Sequence, residues 1–130
     1  LRKQLVITFS KDGELIPTVQ AFFRILLSEN KSFEREEVKI KLFEKGIGKD
    51  IGRAGTHLSN ISSFLTKVSN PHLRQVVEFD GGGARGETKN NYRVIDQYRD
   101  VVTSALEEVK AETVLSPRGD QGETIRSTAS

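Results

Sequence analysis

Short polar side chains share one face of a predicted helix in the middle of the chain. Apolar residues recur there at spacings of three, four and three, which predicts a helix over residues 56–68 with one apolar face made of Leu58, Ile61, Leu65 and Val68. Thr56 is the expected N-cap, His57 lies in the first turn, and both are candidate contacts to nucleic acid. The opposite face carries Ser59, Asn60, Ser62, Ser63, Thr66 and Lys67. Asn can pair bidentately with adenine, and Ser or Thr can serve several bases, so this face suits the edges of base pairs.

A glycine-rich loop between two predicted strands is the second feature. The residue pattern predicts strands over residues 73–79 and 91–95, joined by a polar loop at residues 80–90. Glycine has no side chain, so such a loop can lie close to a sugar-phosphate backbone. Basic side chains able to contact phosphates lie on the helix and the hairpin, namely Lys67, Arg74, Arg85, Lys89 and Arg93.

Signals for catalysis or for a cofactor are weak. The loop glycines match G-x-G-x-x-G, but they lead into a strand, whereas the dinucleotide fingerprint opens a helix. A phosphate-binding P-loop is excluded because Glu87 stands where its lysine would be. His57 and His72 are the only histidines and cysteine is absent, so a zinc site is not expected. No acidic pair joins a base or a nucleophile. We therefore expect no enzyme, no metal and no cofactor.

Composition fits one folded domain. The chain has 130 residues, of which 35% are hydrophobic and 29% charged, and its net charge is +2. No apolar run reaches the roughly 18 residues of a membrane span. Without cysteine, neither disulfides nor thiolates can hold the fold, which agrees with an intracellular location in the cytoplasm, nucleoid or nucleus. Basic charge gathers in residues 51–95, with six basic against three acidic side chains.

The remaining pattern predicts a single domain over residues 1–113 and a polar tail over 114–130. Residues 5–9 read as a strand, because Val, Ile, Thr and Phe dominate them. Three further helices are predicted in addition to the polar-faced one, at residues 17–29, 33–45 and 96–112, and residues 46–55 read as a glycine-rich turn.

The order helix, helix, turn, polar-faced helix, hairpin, helix resembles the winged helix-turn-helix superfamily over residues 17–95. A polar helix face and a glycine-rich turn also occur on ordinary solvated surfaces. The interpretation therefore depends on the order of the elements and not on either feature alone. The resemblance implies a mainly α fold with a small antiparallel β element (α+β). It also implies a recognition helix at 56–68 in the major groove and a wing at 80–90 on the backbone or minor groove of double-stranded DNA. Such a domain binds duplex DNA sequence-selectively, in transcription regulation, replication or targeting of a larger protein.

Two alternatives and one assembly question stay open. A winged-helix surface can instead bind protein, as an assembly adaptor, and a small enzyme domain could have its site completed by a partner chain. The last predicted helix carries an apolar stripe that must be buried somewhere. The stripe consists of Ile95, Tyr98, Val102, Leu106 and Val109. Either it closes the core against the helix at 17–29, or it pairs with a second copy of the chain in a homodimer.

Overall fold

Six α-helices and one two-stranded antiparallel sheet make up the described part of the chain. The computed structural model describes residues 1–81 and 89–115, except for the side chains of residues 111–115. The elements are, in chain order, α1 (Arg2–Phe9), α2 (Leu15–Ser28), α3 (Arg35–Glu44), α4 (Ile51–Leu65), α5 (Pro71–Val76), β1 (Val77–Asp80), β2 (Asn90–Val94), a 3-10 turn (Asp96–Tyr98) and α6 (Arg99–Leu115). The predicted class, mainly α with a small antiparallel β element, is confirmed.

The N-terminal segment is a helix, so the strand predicted at residues 5–9 is wrong. Leu5 and Phe9 are both buried and lie four residues apart, a spacing that places them on one side of α1. That side packs against α6, and the Phe9 ring meets Phe23 of α2 edge-on at 5.3 Å. Burial of two large side chains by tertiary contacts therefore outweighs the strand preference of the neighbouring Val, Ile and Thr.

The strand predicted at residues 73–79 is only half correct. Pro71 opens α5 at the start of a helix, where its missing N–H costs no hydrogen bond, and the chain becomes extended only at Val77. The return strand agrees with prediction to within one residue. The hairpin pairs Val77 with Val94 and Glu78 with Arg93, and the register then shifts before Asp80.

Helix α2 lies at the centre of the core. It contacts α1, α3, α4, α6 and β2, and its Phe22 ring packs edge-on against both Phe23 and Tyr92. Between α2 and α3, Phe33 exchanges both backbone hydrogen bonds with Tyr92, at 2.8 and 2.9 Å. This single-residue bridge attaches the α2–α3 junction to the edge of β2 that does not pair with β1.

The C-terminal part of the apolar stripe of the last predicted helix, Val102, Leu106 and Val109, is buried inside the single chain, whereas Ile95 and Tyr98 are half-buried. Val102 and Leu106 are 0% and 3% exposed, in contacts of α6 with α1 and α2. Arg2 pairs with Glu108 across the α1–α6 contact. Neither Val102 nor Leu106 is therefore available to a second copy. Helix α6 also runs past the predicted domain limit at residue 113, and the predicted tail from residue 116 lies outside the described residues.

Candidate nucleic-acid interface

The polar-faced helix α4 begins five residues earlier than predicted. Asp50 caps it, because its Oδ1 accepts a hydrogen bond from the Arg53 backbone N at 2.8 Å. Thr56 is therefore an interior residue of α4 and not its N-cap. The glycine-rich turn predicted over residues 46–55 shrinks to the few residues between α3 and Asp50. The density of glycine concealed the helix start, although Asp50 followed by a helical turn was a usable local signal.

Most of the predicted polar face of α4 is solvent-exposed. Leu58, Ile61 and Leu65 are buried as expected. Val68 is not on the apolar face, because α4 ends at Leu65 and the Val68 side chain is 98% exposed in the turn that follows. The exposed stripe along α4 and just beyond its end consists of Arg53, Thr56, Ser59, Asn60, Ser63 and Lys67.

Ser62 does not belong to the exposed face, so its predicted exposure to solvent is wrong. Its side chain is 4% exposed, and its Oγ lies 2.9 Å from the hydroxyl of Tyr92 on β2. Ser62 follows Leu58 by one helical turn and adjoins Ile61, so it lies on the inner side of α4. It connects the helix to the hairpin instead of contacting a ligand.

Three basic residues flank the face that were not among the predicted contacts. Arg53 lies on the exposed stripe one turn before Thr56, and Lys49 precedes the helix cap. Arg35, at the start of α3, donates from Nη2 to Ser59 Oγ at 2.9 Å. Arg35 was missed because its approach to α4 depends on the α3–α4 packing, which the sequence does not reveal. Arg53 was missed because its segment was read as a turn.

Two open depressions border the exposed face of α4. One is lined by Gly46, Gly48, Lys49, Arg53 and His57. The other lies between α4 and the start of α2 and is lined by Glu14, Leu15, His57, Asn60, Ser63, Phe64 and Lys67. The half-buried His57 ring is common to both, so the two depressions adjoin along the helix. The resulting surface is concave and has a mixed apolar and polar lining, and its charged residues are Lys49, Arg53 and Lys67 with one carboxylate, Glu14.

Arg74 and Lys89 both lie beside the ring of Phe79 on β1. The Arg74 guanidinium stands 4.4 Å from the centre of the Phe79 ring, and Lys89 Nζ stands 5.7 Å from it. Phe79 packs against Tyr92, with ring centres 6.0 Å apart, and Tyr92 reaches Ser62 of α4. A continuous chain of side-chain contacts therefore joins these two cations to the polar helix.

The other predicted contact residues are placed differently. Arg93 Nη2 donates hydrogen bonds to Asn30 Oδ1 at 2.7 Å and to Asp96 Oδ1 at 2.9 Å. This hydrogen bond to Asp96, together with the positive charge of Arg93, keeps the pKa of Asp96 below its usual value. The structure thus does not bring Arg93 to the α4 face. Arg85 lies outside the described residues. His72, which was not a predicted contact, is buried, with Nε2 2.5 Å from Thr8 Oγ1.

Comparisons with protein-family models, with curated protein sequences and with solved structures give no match to this chain. Among the described residues, no three His, Asp or Glu side chains are grouped so as to hold a metal ion. Within the same residues, no helix has the length and apolar character needed to cross a bilayer. The interpretation of the surface therefore depends on its own geometry.

Proposed function

We propose that this chain is a non-enzymatic, winged-helix-type module that binds duplex DNA by placing α4 in the major groove. The observation that carries the proposal is the exposed stripe of α4. Four short hydrogen-bonding side chains occupy its middle, and a cation stands near each end, at Arg53 and Lys67. Side chains of this kind read base edges, and cations at the ends contact phosphates.

The order of the elements supports this proposal. Helices α3 and α4 are consecutive and pack against each other as a helix-turn-helix pair does, although residues 45–50 form a longer turn than the three or four residues of the compact motif. The antiparallel hairpin follows after α5, and the bridge at Phe33 adds a third extended segment beside it. In the winged-helix arrangement that we propose, α4 would be the recognition helix and the hairpin would be the wing.

The dimensions of α4 also suit a major groove. The groove is about 12 Å wide and admits one helix. Ten residues separate Arg53 from Ser63, a rise of about 15 Å along the axis. The exposed stripe therefore spans several base pairs. Phosphate contacts by Lys49, Arg53 and Lys67 would provide most of the affinity, and Ser59, Asn60 and Ser63 most of the selectivity.

Fluorescence anisotropy with a labelled duplex of about 20 base pairs tests this proposal across salt concentrations from about 50 to 200 mM. The double variant Arg53→Gln/Lys67→Gln should reduce the slope of log affinity against log salt by up to about two units. The matched control Lys3→Gln/Lys110→Gln removes the same charge from exposed positions on α1 and α6 and should leave the slope nearly unchanged. Equal slopes for the two double variants would contradict the placement of α4. No binding at low salt would favour the protein-adaptor alternative.

A further inference from the structure

A single carboxylate lies in the proposed DNA-binding surface. Among the described residues that line the two depressions beside α4, only Glu14 is acidic. It lines the same depression as Asn60, Ser63 and Lys67. A negative charge at this position opposes phosphates, so its presence needs a reason beyond general affinity.

Glu14 has no partner that would neutralise it within the described part of the protein. Its side chain is exposed and makes neither a hydrogen bond nor an ion pair with another described residue. Lys67, which lines the same depression, has its Nζ 5.8 Å from the centre of the Phe64 ring. A carboxylate at the start of α2 does interact favourably with the helix dipole. That interaction explains an acidic residue at this point of the chain, but it does not require the residue to border α4.

We propose that Glu14 is a selectivity residue of the α4 surface, an inference that depends on the proposed DNA binding. With α4 in the major groove, the carboxylate approaches the duplex beside the base pairs that α4 contacts. On unselected DNA it repels nearby phosphates and lowers affinity. Where a cytosine occupies that position, the carboxylate accepts a hydrogen bond from the exocyclic N4 amino group, which offsets the repulsion. The favoured ligand is therefore duplex DNA with a G·C pair at one flank of the α4 contact.

Anisotropy with a mixed-sequence duplex, together with selection from a randomised duplex pool, tests this inference. Glu14→Gln should bind the mixed duplex about threefold to tenfold more tightly than the wild type at low salt, and the difference should shrink as salt rises. Glu14→Asp keeps the charge and should stay near the wild-type affinity. Glu107→Gln removes a carboxylate from an exposed position on α6 and is the control for net charge. The pool selected by the wild type should be enriched in G·C at one flanking position, and the pool selected by Glu14→Gln should not.

The outcomes distinguish a failure of the Glu14 role from a failure of the proposed DNA binding. Equal affinities for Glu14→Gln and Glu107→Gln, with identical selected sequences, would overturn the role of Glu14 and leave DNA binding intact. Salt-dependent binding of the mixed duplex by Glu14→Gln, with wild-type binding confined to duplexes from its selected pool, would support that role, because the carboxylate would then be what blocks unselected DNA. A wild type and variants that all fail to bind duplex at low salt would overturn both.

Discussion

The Tyr92 hydroxyl lies 2.9 Å from Ser62 Oγ, and this contact joins β2 to the inner side of α4. Both side chains are buried, and the same hydroxyl stands 3.4 Å from the Lys89 carbonyl oxygen, to which it donates. A buried polar group that loses its partner costs free energy, because neither water nor protein then satisfies it. The contact therefore fixes how the hairpin sits relative to the polar helix.

Removing either hydroxyl should destabilise the fold, and removing both should cost less than the sum. We expect Tyr92→Phe and Ser62→Ala each to lower the free energy of unfolding by about 1–2 kcal/mol, with a coupling of about 0.5–1.5 kcal/mol between them. Urea denaturation of the two single variants and the double variant measures this cycle. Tyr98→Phe is the control, because the Tyr98 hydroxyl bonds to Gln75 at an exposed position. Strict additivity would contradict the contact.

Local sequence patterns predicted some features of the fold and of the site but not others. The spacing of Leu58, Ile61 and Leu65 identified α4 because helical periodicity is a property of neighbouring residues. The burial of Ser62 was not predictable in this way, since it depends on Tyr92, 30 positions further along. The same holds for α1, whose helical form depends on packing against α6 at the other end of the chain.

The turn between α3 and α4 requires glycine at position 48 for two separate reasons. Gly48 has a φ of +89°, and a Cβ there would lie 2.7 Å from the Ala54 backbone N. Gly46 has the same φ but open space around the Cβ position. Gly46→Ala is therefore a matched control that measures the cost of the positive φ without a steric clash. We expect about 1–2 kcal/mol of destabilisation for Gly46→Ala and at least about 1 kcal/mol more for Gly48→Ala. Urea denaturation midpoints compare the two variants. Equal losses of stability would show that the backbone near Ala54 moves away from the added Cβ at no cost in free energy.

His72 makes the stability of the protein depend on pH near neutrality. Burial, followed by the nearby charge of Lys11, lowers the pKa of His72 below its ordinary value of 6.5. The unfolded chain therefore binds a proton more readily than the folded one between the lowered pKa and 6.5. The contribution of this group to stability is complete above that window and is lost as pH falls through it.

The measurement for His72 is the free energy of unfolding at about pH 7.5 and about pH 5.5. The wild type should lose stability on going to the lower pH, and His72→Gln should lose less, because it has no group to protonate at that site. The same pH dependence in His72→Gln and in the wild type would assign the loss to other groups.

Asn60 should control which DNA is bound and have little effect on how stably the protein folds. It is exposed in the middle of the α4 stripe, so Asn60→Ala should change the free energy of unfolding by no more than about 0.5 kcal/mol. On a duplex selected by the wild type, loss of a bidentate adenine contact should weaken binding by about 1–3 kcal/mol, with little effect on a scrambled duplex. Arg53→Gln should weaken binding to both duplexes alike, because phosphates carry no sequence information. Anisotropy on the two duplexes gives the ratio of affinities for each variant. A ratio that Asn60→Ala leaves at the wild-type value would mean that Asn60 does not contact the bases, and a ratio that Arg53→Gln lowers would mean that Arg53 does more than contact phosphates.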